Sequence, residues 1–524
     1  MSKAGFVSVE QKEKVMIWRR CVVTVKKNKP RGIKLRAAPI VLSFVILGLL
    51  VGAVSYQSMP VALDLDVDES KDTSADMVVP AVPSESESES VAVAVDDKNN
   101  EEEPLPGQLE RDLWAQTVHR YLQEDLWNDQ NAYDAGHYLM VPVHAAFELD
   151  EDAWQRAFAA HFARFLHAID LQKEALTAGR LARLQYLYLA SRFAVAAEKT
   201  GKGYLVSPDL VYFLYDEIHR LWAVEPAWQW ARDPFEGGIR ERLTWKLETD
   251  GTKLARSYYR AIIDEELFLI AIAADLRAYE RLTKSEHRYS ATIDEVLNTA
   301  RTILLQEVVP QTGGGWLFQP GVWTDHPDYA YAGNADKYPE IKPAPVVGIA
   351  QDSSHSHRFP LWLTSLSDAY DDDSLEKEFY VSLKQGLERQ FFNKVLVMPT
   401  PDFPAVRLTN FMDGSNGVYR WGYQTQGEGA GYGPYELSGT FILGWWSFLG
   451  SQRIADVYRE LSAQFPLPEK VIDVYVGPNT LRERHELVSN PESYHNGFRE
   501  LLVILAADLA ELEKIRMSTE REAP

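Results

Sequence analysis

Of 524 residues only Cys21 is a cysteine, and no Asn-x-Ser/Thr triplet occurs. Past Cys21 the chain therefore has no disulfide, no thiol nucleophile and no thiolate ligand. The missing glycosylation triplet disfavours a large ectodomain that crosses a glycosylating secretory route, and it favours a bacterial periplasm. There is no Gly-x-x-x-x-Gly-Lys-Ser/Thr loop, no His-Glu-x-x-His and no Gly-x-Ser-x-Gly. Phosphate-loop chemistry, zinc-helix proteolysis and a nucleophile-elbow esterase are thereby set aside. The triplet Gly313 to Gly315 follows no recognisable parallel-strand unit, so no dinucleotide site is expected.

Positive charge is scarce, with 54 Lys and Arg against 76 Asp and Glu and a net charge of −22. It is also uneven: residues 1–36 carry about +9, residues 57–105 about −12 and the remainder about −19. So acidic a domain makes a poor general binder of nucleic acid, because phosphate contacts need clustered Lys and Arg. It is equally unsuited to lying along an anionic membrane surface. No nucleic-acid partner is expected.

The basic residues that do exist gather at Arg20, Lys26, Lys27, Lys29, Arg31 and Lys34, directly before the uncharged run Ala37 to Tyr56. Roughly twenty residues at about 1.5 Å each cover about 30 Å, the hydrocarbon thickness of a bilayer. Lys and Arg stay on the cytoplasmic side of a span. The chain thus reads as a single-pass, type II protein of the bacterial inner membrane, with residues 1–36 cytoplasmic, 37–56 transmembrane and the C-terminal part in the periplasm. A cleaved signal peptide is the rival, since Ala53-Val54-Ser55 offers small residues for a peptidase. The long charged leader favours an uncleaved anchor. Residues 57–105 include the Ser84–Ser90 alternation with Glu and no aromatic past Tyr56. They cannot bury enough apolar surface to offset their ordering entropy, and predict a disordered acidic tether.

From residue 106 to 524 the apolar spacing is helical. It predicts about eleven helices: Leu109 to Trp127, Asp152 to Ile169, Ala178 to Ala197, Ser207 to Ala223, Ala255 to Leu282, Asp294 to Val308, Pro360 to Tyr370, Leu375 to Phe392, Tyr435 to Leu449, Ala455 to Gln464 and Gly497 to Ile515. Val395 to Met398 and Ala405 to Met412 suit a small β-hairpin. Two long loops, Pro310 to Arg358 and Met398 to Pro434, are rich in Gly, Pro and aromatics, and loops of that length are often functional.

Polar chemistry concentrates in those loops. Gln351 to Pro360 (QDSSHSHRFP) brings together Asp352, His355, His357 and Arg358. In an extended segment residues two apart face the same way, which points both histidines into one cleft. The alternative is a helix start in which Asp352, Ser353 or Ser354 caps free N–H groups. Asn410 to Glu436 adds Asp413, Asn416, Arg420, Trp421, Tyr423, Glu428, Tyr432 and Tyr435, whose aromatic faces match the C–H faces of sugar rings. Gly313 to Lys342 contributes Trp323, Asp325, His326, Asp328, Tyr329 and Tyr331 as a further cleft wall. His137, His144, His161 and His167 read as structural histidines, and Trp222, Trp228, Trp230, Trp445 and Trp446 as core. His355-x-His357 could hold a metal with Asp352, Asp413 or Glu428, but spacing fixes no third ligand. A divalent metal finds little support, and no cofactor is expected.

Sequential amphipathic helices with decorated loops in the second half resemble the α/α-toroid enzymes that act on polysaccharides: uronate lyases, uronyl C5-epimerases and inverting glycosidases. The resemblance covers about residues 107–515 as an architecture and only the two long loops as residues. It implies a mainly α, (α/α) toroid domain and a polysaccharide substrate. For a lyase or epimerase, His355 or His357 supplies the base, Tyr432 or Tyr435 the acid, and Arg358 or Arg420 with Gln351 or Asn416 the carboxylate clamp. Trp323, Tyr331 and Trp421 then make sugar subsites. An inverting glycosidase would use Glu428 with Asp352 or Asp413. A third possibility is a non-catalytic glycan-binding or scaffold subunit of an envelope assembly, whose polar loops would splay rather than converge.

Overall fold

The computed structural model describes residues 107–171, 179–422, 431–478 and 483–522, all within the unit Lys98–Pro524. The basic leader, the apolar run Ala37 to Tyr56, the tether and Glu428 lie outside the described residues. Among those described, no helix is long and apolar enough to cross a membrane.

The domain is mainly α. Its helices are α1 (Gln108–Gln116), α2 (Val118–Tyr121), α3 (Asp129–Tyr138), α4 (Met140–Glu148), α5 (Asp152–Leu171), α6 (Arg180–Lys199), α7 (Pro208–Ala223) and α8 (Gly238–Glu248). They continue as α9 (Asp264–Thr283), α10 (Ser290–Glu307), α11 (Ser353–Ser356), α12 (Phe359–Asp368), α13 (Leu375–Gln390), α14 (Gln452–Ser462), α15 (Glu469–Val476) and α16 (Phe498–Glu522). Two antiparallel ribbons accompany them. One pairs β1 (Val308–Pro310) with β2 (Trp316–Phe318), the other β3 (Leu396–Val397) with β4 (Arg407–Leu408).

Local signals explain several boundaries. Ser207 accepts from the Asp209 amide with Pro208 in the first turn of α7, and Ser374 accepts from the Lys377 amide at α13; both satisfy otherwise orphaned N–H groups. The long helix expected over Leu109 to Trp127 breaks at Thr117, whose φ of −120° and ψ of −82° leave the helical region. The helix expected over Tyr435 to Leu449 is absent. Two 3₁₀ turns, Ser438–Leu443 and Trp445–Leu449, flank Gly444 at φ 80°. Apolar spacing there reflects burial of Trp445 and Trp446, while a glycine at positive φ ends the helical path. Helices α3, α4, α8 and α15 were not expected from spacing.

One series of helix contacts closes on itself: α4 on α6, α6 on α9, α9 on α12, α12 on the Trp445–Leu449 turn, that turn on α16, and α16 on α4. Helices α5, α10, α13 and α14 pack against members of this series. The approach of α3 to α6 is set by Gly136, where a Cβ would stand 2.8 Å from the Gln185 backbone. Trp222, Trp445 and Trp446 are core, as expected.

His161 is a structural histidine. Its Nδ1–H donates to the Leu122 carbonyl at 3.0 Å, and Nε2 accepts from the Tyr186 hydroxyl at 2.9 Å. Burial pushes its pKa down from 6.5 to about 4. Between those values the unfolded chain binds a proton that the folded one refuses, so stability is complete above pH 6.5 and falls as pH drops toward 4. The loss from this residue alone approaches about 3 kcal/mol. Thermal unfolding at pH 7 and pH 4 should show it, and a melting temperature unchanged between them would refute the assignment.

Candidate functional site

The candidate site forms where the long loops meet the starts of α9 and α12. Asp352 organises it. Its side chain caps α11 by accepting from the His355 amide at 3.0 Å, and both carboxylate oxygens lie 2.8 Å from His355 Nδ1. It also accepts from the Tyr329 hydroxyl at 2.8 Å and from the Ser354 hydroxyl. The group is fully buried. Burial acts to raise its pKa, but the His355 charge and hydrogen bond, Arg420 and Ser354 outweigh it and hold the carboxyl well below its usual range. The ionised Asp352 accepts a hydrogen bond from His355 Nδ1–H, which leaves Nε2 as the ring nitrogen turned away from it. That ring keeps 24% of its side-chain surface exposed, and its Nε2 lies 3.8 Å from Asp264.

Both histidines line the first pocket, as expected, but through a helical turn and not the extended segment expected. Residues 353–356 form a helical turn, in which positions two apart diverge by roughly 200°. His357 is buried instead, donating Nδ1–H to the Ser354 carbonyl at 2.6 Å, with Nε2 lacking a hydrogen bond. Burial first, and the Arg358 charge second, push its pKa well below 6.5. Arg358 is likewise fixed: its guanidinium ion-pairs with Asp264 and donates to His137 Nε2 at 3.0 and 3.1 Å.

Two pockets share His355 and Arg420 as a common wall. The first spans about 850 Å³, open solvent included, and is lined by His137, His357, Arg358, Tyr432, Arg484 and Arg499 among others. The second, about 1020 Å³ on the same basis, is lined by Trp228, Trp230, Trp323, Asp264, Glu265 and Asp328, with Gln351 at its wall. Arg420 sits at φ 54°, a strained conformation for a side-chain-bearing residue, and its Nε donates to Asp328 at 2.8 Å. Tyr432 is held by a two-way backbone bridge to Tyr419, at 2.7 and 2.8 Å.

Five residues expected at the site lie elsewhere. Asp413 accepts from the Ser415 amide at 2.8 Å as a turn cap. Asn416 accepts from the amides of Asn410 and Tyr435 at 3.0 and 3.1 Å, bracing the loop. Tyr435 lies under Arg407, 4.4 Å from guanidinium carbon to ring centre. Trp421 neighbours Tyr331 at 6.5 Å. None of these five lines either pocket. Trp228, read as core, is 52% exposed on the second pocket, and Trp230 is half-buried there. The spacing Trp228-x-Trp230 carried that signal, since an extended segment puts both on one side. Asp264, Arg484 and Arg499 were missed because charged neighbours such as Glu265, Glu483 and Glu500 make them look like ordinary solvated charge, while His137, read as structural, is held by Tyr133 and Arg358 and also lines the first pocket. Among the described residues, no group of three His, Cys, Asp or Glu is placed to hold a metal ion.

No family model matches the chain, and it matches no curated protein and no solved structure. Function must be argued from the site alone.

The Tyr329 hydroxyl both donates to Asp352 and accepts from its amide at 3.3 Å. Tyr329→Phe leaves that buried carboxylate a donor short and should lower stability by about 2 kcal/mol. Urea unfolding checks this; an unchanged midpoint would mean that Tyr329 does not support Asp352.

Proposed function

We propose that the protein is a membrane-anchored, periplasmic polysaccharide-modifying enzyme of the uronate lyase or C5-epimerase type, built on an (α/α) toroid. The closed series of helix contacts supports the toroid. The order of basic segment, apolar run and acidic tether in the sequence supports the anchor and the periplasmic placement. One observation carries the chemistry: a carboxylate-oriented imidazole and an arginine face the same space as a tyrosine, in an otherwise acidic protein.

In this reading a uronate lies across the shared wall with its carboxylate against Arg420, which neutralises it and acidifies the C5 proton. His355 Nε2 takes that proton, and Asp352 stabilises the imidazolium that results. For elimination, the electron pair left at C5 forms the C4–C5 double bond, the C4–O bond breaks, and the Tyr432 hydroxyl gives its proton to the departing oxygen. For epimerisation, Tyr432 returns a proton to C5 from the opposite face, and no bond of the chain breaks. Neither route needs a redox partner.

An inverting glycosidase needs one carboxyl kept protonated by its surroundings. Asp352 is held ionised and surrounded by donors, and Asp413 caps a turn outside both pockets. The carboxylates of the second pocket pair with arginines, Asp264 with Arg358, Glu265 with Arg180 and Arg242, Asp328 with Arg420. These arrangements favour proton abstraction over hydrolysis. The meeting of His355, Arg420 and Tyr432 in one pocket wall favours an enzyme over a docking scaffold.

Incubation with uronate glycans in deuterated water distinguishes the outcomes. Elimination gives ultraviolet absorbance from the new double bond, and epimerisation gives deuterium at C5 without cleavage. His355→Gln and Asp352→Asn should each lower kcat by about 10²- to 10⁴-fold, and Tyr432→Phe by about 10²-fold. New reducing ends without absorbance would replace this reading with hydrolysis.

A further inference from the structure

The two pockets that meet at His355 and Arg420 have opposite character. In the first, four arginines (Arg358, Arg420, Arg484 and Arg499) face two carboxylates, Asp134 and Glu436. Arg499 is almost fully buried, and its hydrogen-bond acceptors are neutral: Ser493 Oγ at 3.0 Å, Asn490 Oδ1 at 3.0 Å and the Tyr138 hydroxyl. No carboxylate among the described residues forms an ion pair with it. Its charge is therefore left uncancelled in a low-dielectric wall, where it acts most strongly on an anion.

The second pocket reverses this balance. Three carboxylates, Asp264, Glu265 and Asp328, stand against the single cation Arg420, and the wall carries Trp228, Trp230 and Trp323. Trp228 and Trp230 meet edge to face at 5.1 Å between ring centres, and half of Trp228 is exposed. A sugar ring without charge can stack its C–H face on such a surface. A second uronate would find one lining cation, Arg420, already engaged by Asp328. Trp323 Nε1 and Gln351 Oε1 are buried without a protein partner, a donor and an acceptor at the wall of a pocket suited to a ring bearing hydroxyl or acetamido groups.

Resting on the reading of this cleft as a uronate lyase or epimerase, we propose that its substrate is a copolymer in which uronate is joined to a neutral sugar. The uronate occupies the arginine-lined pocket and the neutral ring the tryptophan-lined one. The reacting C5 lies at the wall formed by His355 and Arg420. A polyuronate homopolymer would place one carboxylate in each pocket, and the second would have no lining cation but Arg420, which Asp328 already engages.

The test uses the full-length protein in detergent, with an alternating uronate and N-acetylhexosamine polymer and a polyuronate homopolymer as the two substrates. Double-bond absorbance and deuterium uptake at C5 are followed for both. The copolymer should be favoured by at least about tenfold in kcat/KM. Trp228→Ala, at a surface position that does not endanger folding, should lose about fivefold on the copolymer, chiefly in KM. Homopolymer turnover equal to or faster than that of the copolymer, or a Trp228→Ala variant indistinguishable from the parent, overturns the copolymer proposal while leaving the proton-abstraction reading in place. Absence of both signals with both polymers overturns the two together.

Discussion

A carboxylate sealed from water at Asp352 is the constraint on which the site depends. Removing a charge from solvent costs several kcal/mol unless donors replace the lost hydration. Here those donors come from separate parts of the chain: Tyr329 from the loop before α11, and Ser354 and His355 from α11 itself. The backbone adds a bridge from Asp352 to Phe411, and the Ser353 amide donates to the Asn410 carbonyl at 2.9 Å. The two long loops are therefore tied at one point, and that point also fixes which nitrogen of His355 carries its proton. Structural satisfaction and chemical readiness are here one arrangement.

Arg358 provides the second fixed point. From the start of α12 it reaches Asp264, the first residue of α9, and His137 near the end of α3. Three helices are thus registered at the edge where the loops converge. An acidic residue in the first turn of α9 also suits the positive end of that helix. His137 can accept from Arg358 only while neutral. Burial first, then Arg358 and His357, hold its pKa well below 6.5 and secure that state. His137 is consequently a fixed acceptor in the inner wall, and His355 is the partly exposed member facing both pockets.

Much of the helical framework was legible, because long amphipathic segments such as Asp152–Leu171 and Pro208–Ala223 declare themselves by spacing. Short buried helices did not: α4 is apolar all round, so it shows no stripe. The site was legible in part. The cluster around His355 and Arg420 stood out, but Asp352 looked like either a catalyst or a cap and is placed as a cap that also orients His355. Asp413 and Asn416 shared the composition of a site, yet their oxygens are occupied by backbone amides. Arg484 and Arg499 are brought in by α16 and the segment before it, a contribution of tertiary packing that no local window contains. Trp228 was read as core with Trp222, and its exposure in the folded chain beside Trp230 says otherwise.

How a protein of net charge −22 would hold the acidic polymer proposed for it is a question of distance. At physiological ionic strength, charges beyond about 8 Å are largely screened, so the distributed acid of the domain would weigh little on a ligand in the cleft. What matters is whether cations at the contact keep their charge uncancelled. Arg420 partly fails this test, since Asp328 takes its Nε hydrogen. Arg499 meets it, held by a serine, an asparagine and a tyrosine rather than by an acid. Such neutral partners fix the guanidinium's position without neutralising it, and a rigid cation loses less entropy on binding than a mobile surface lysine. The acidity of the surface and the cationic character of the pocket are therefore compatible, each operating over its own range.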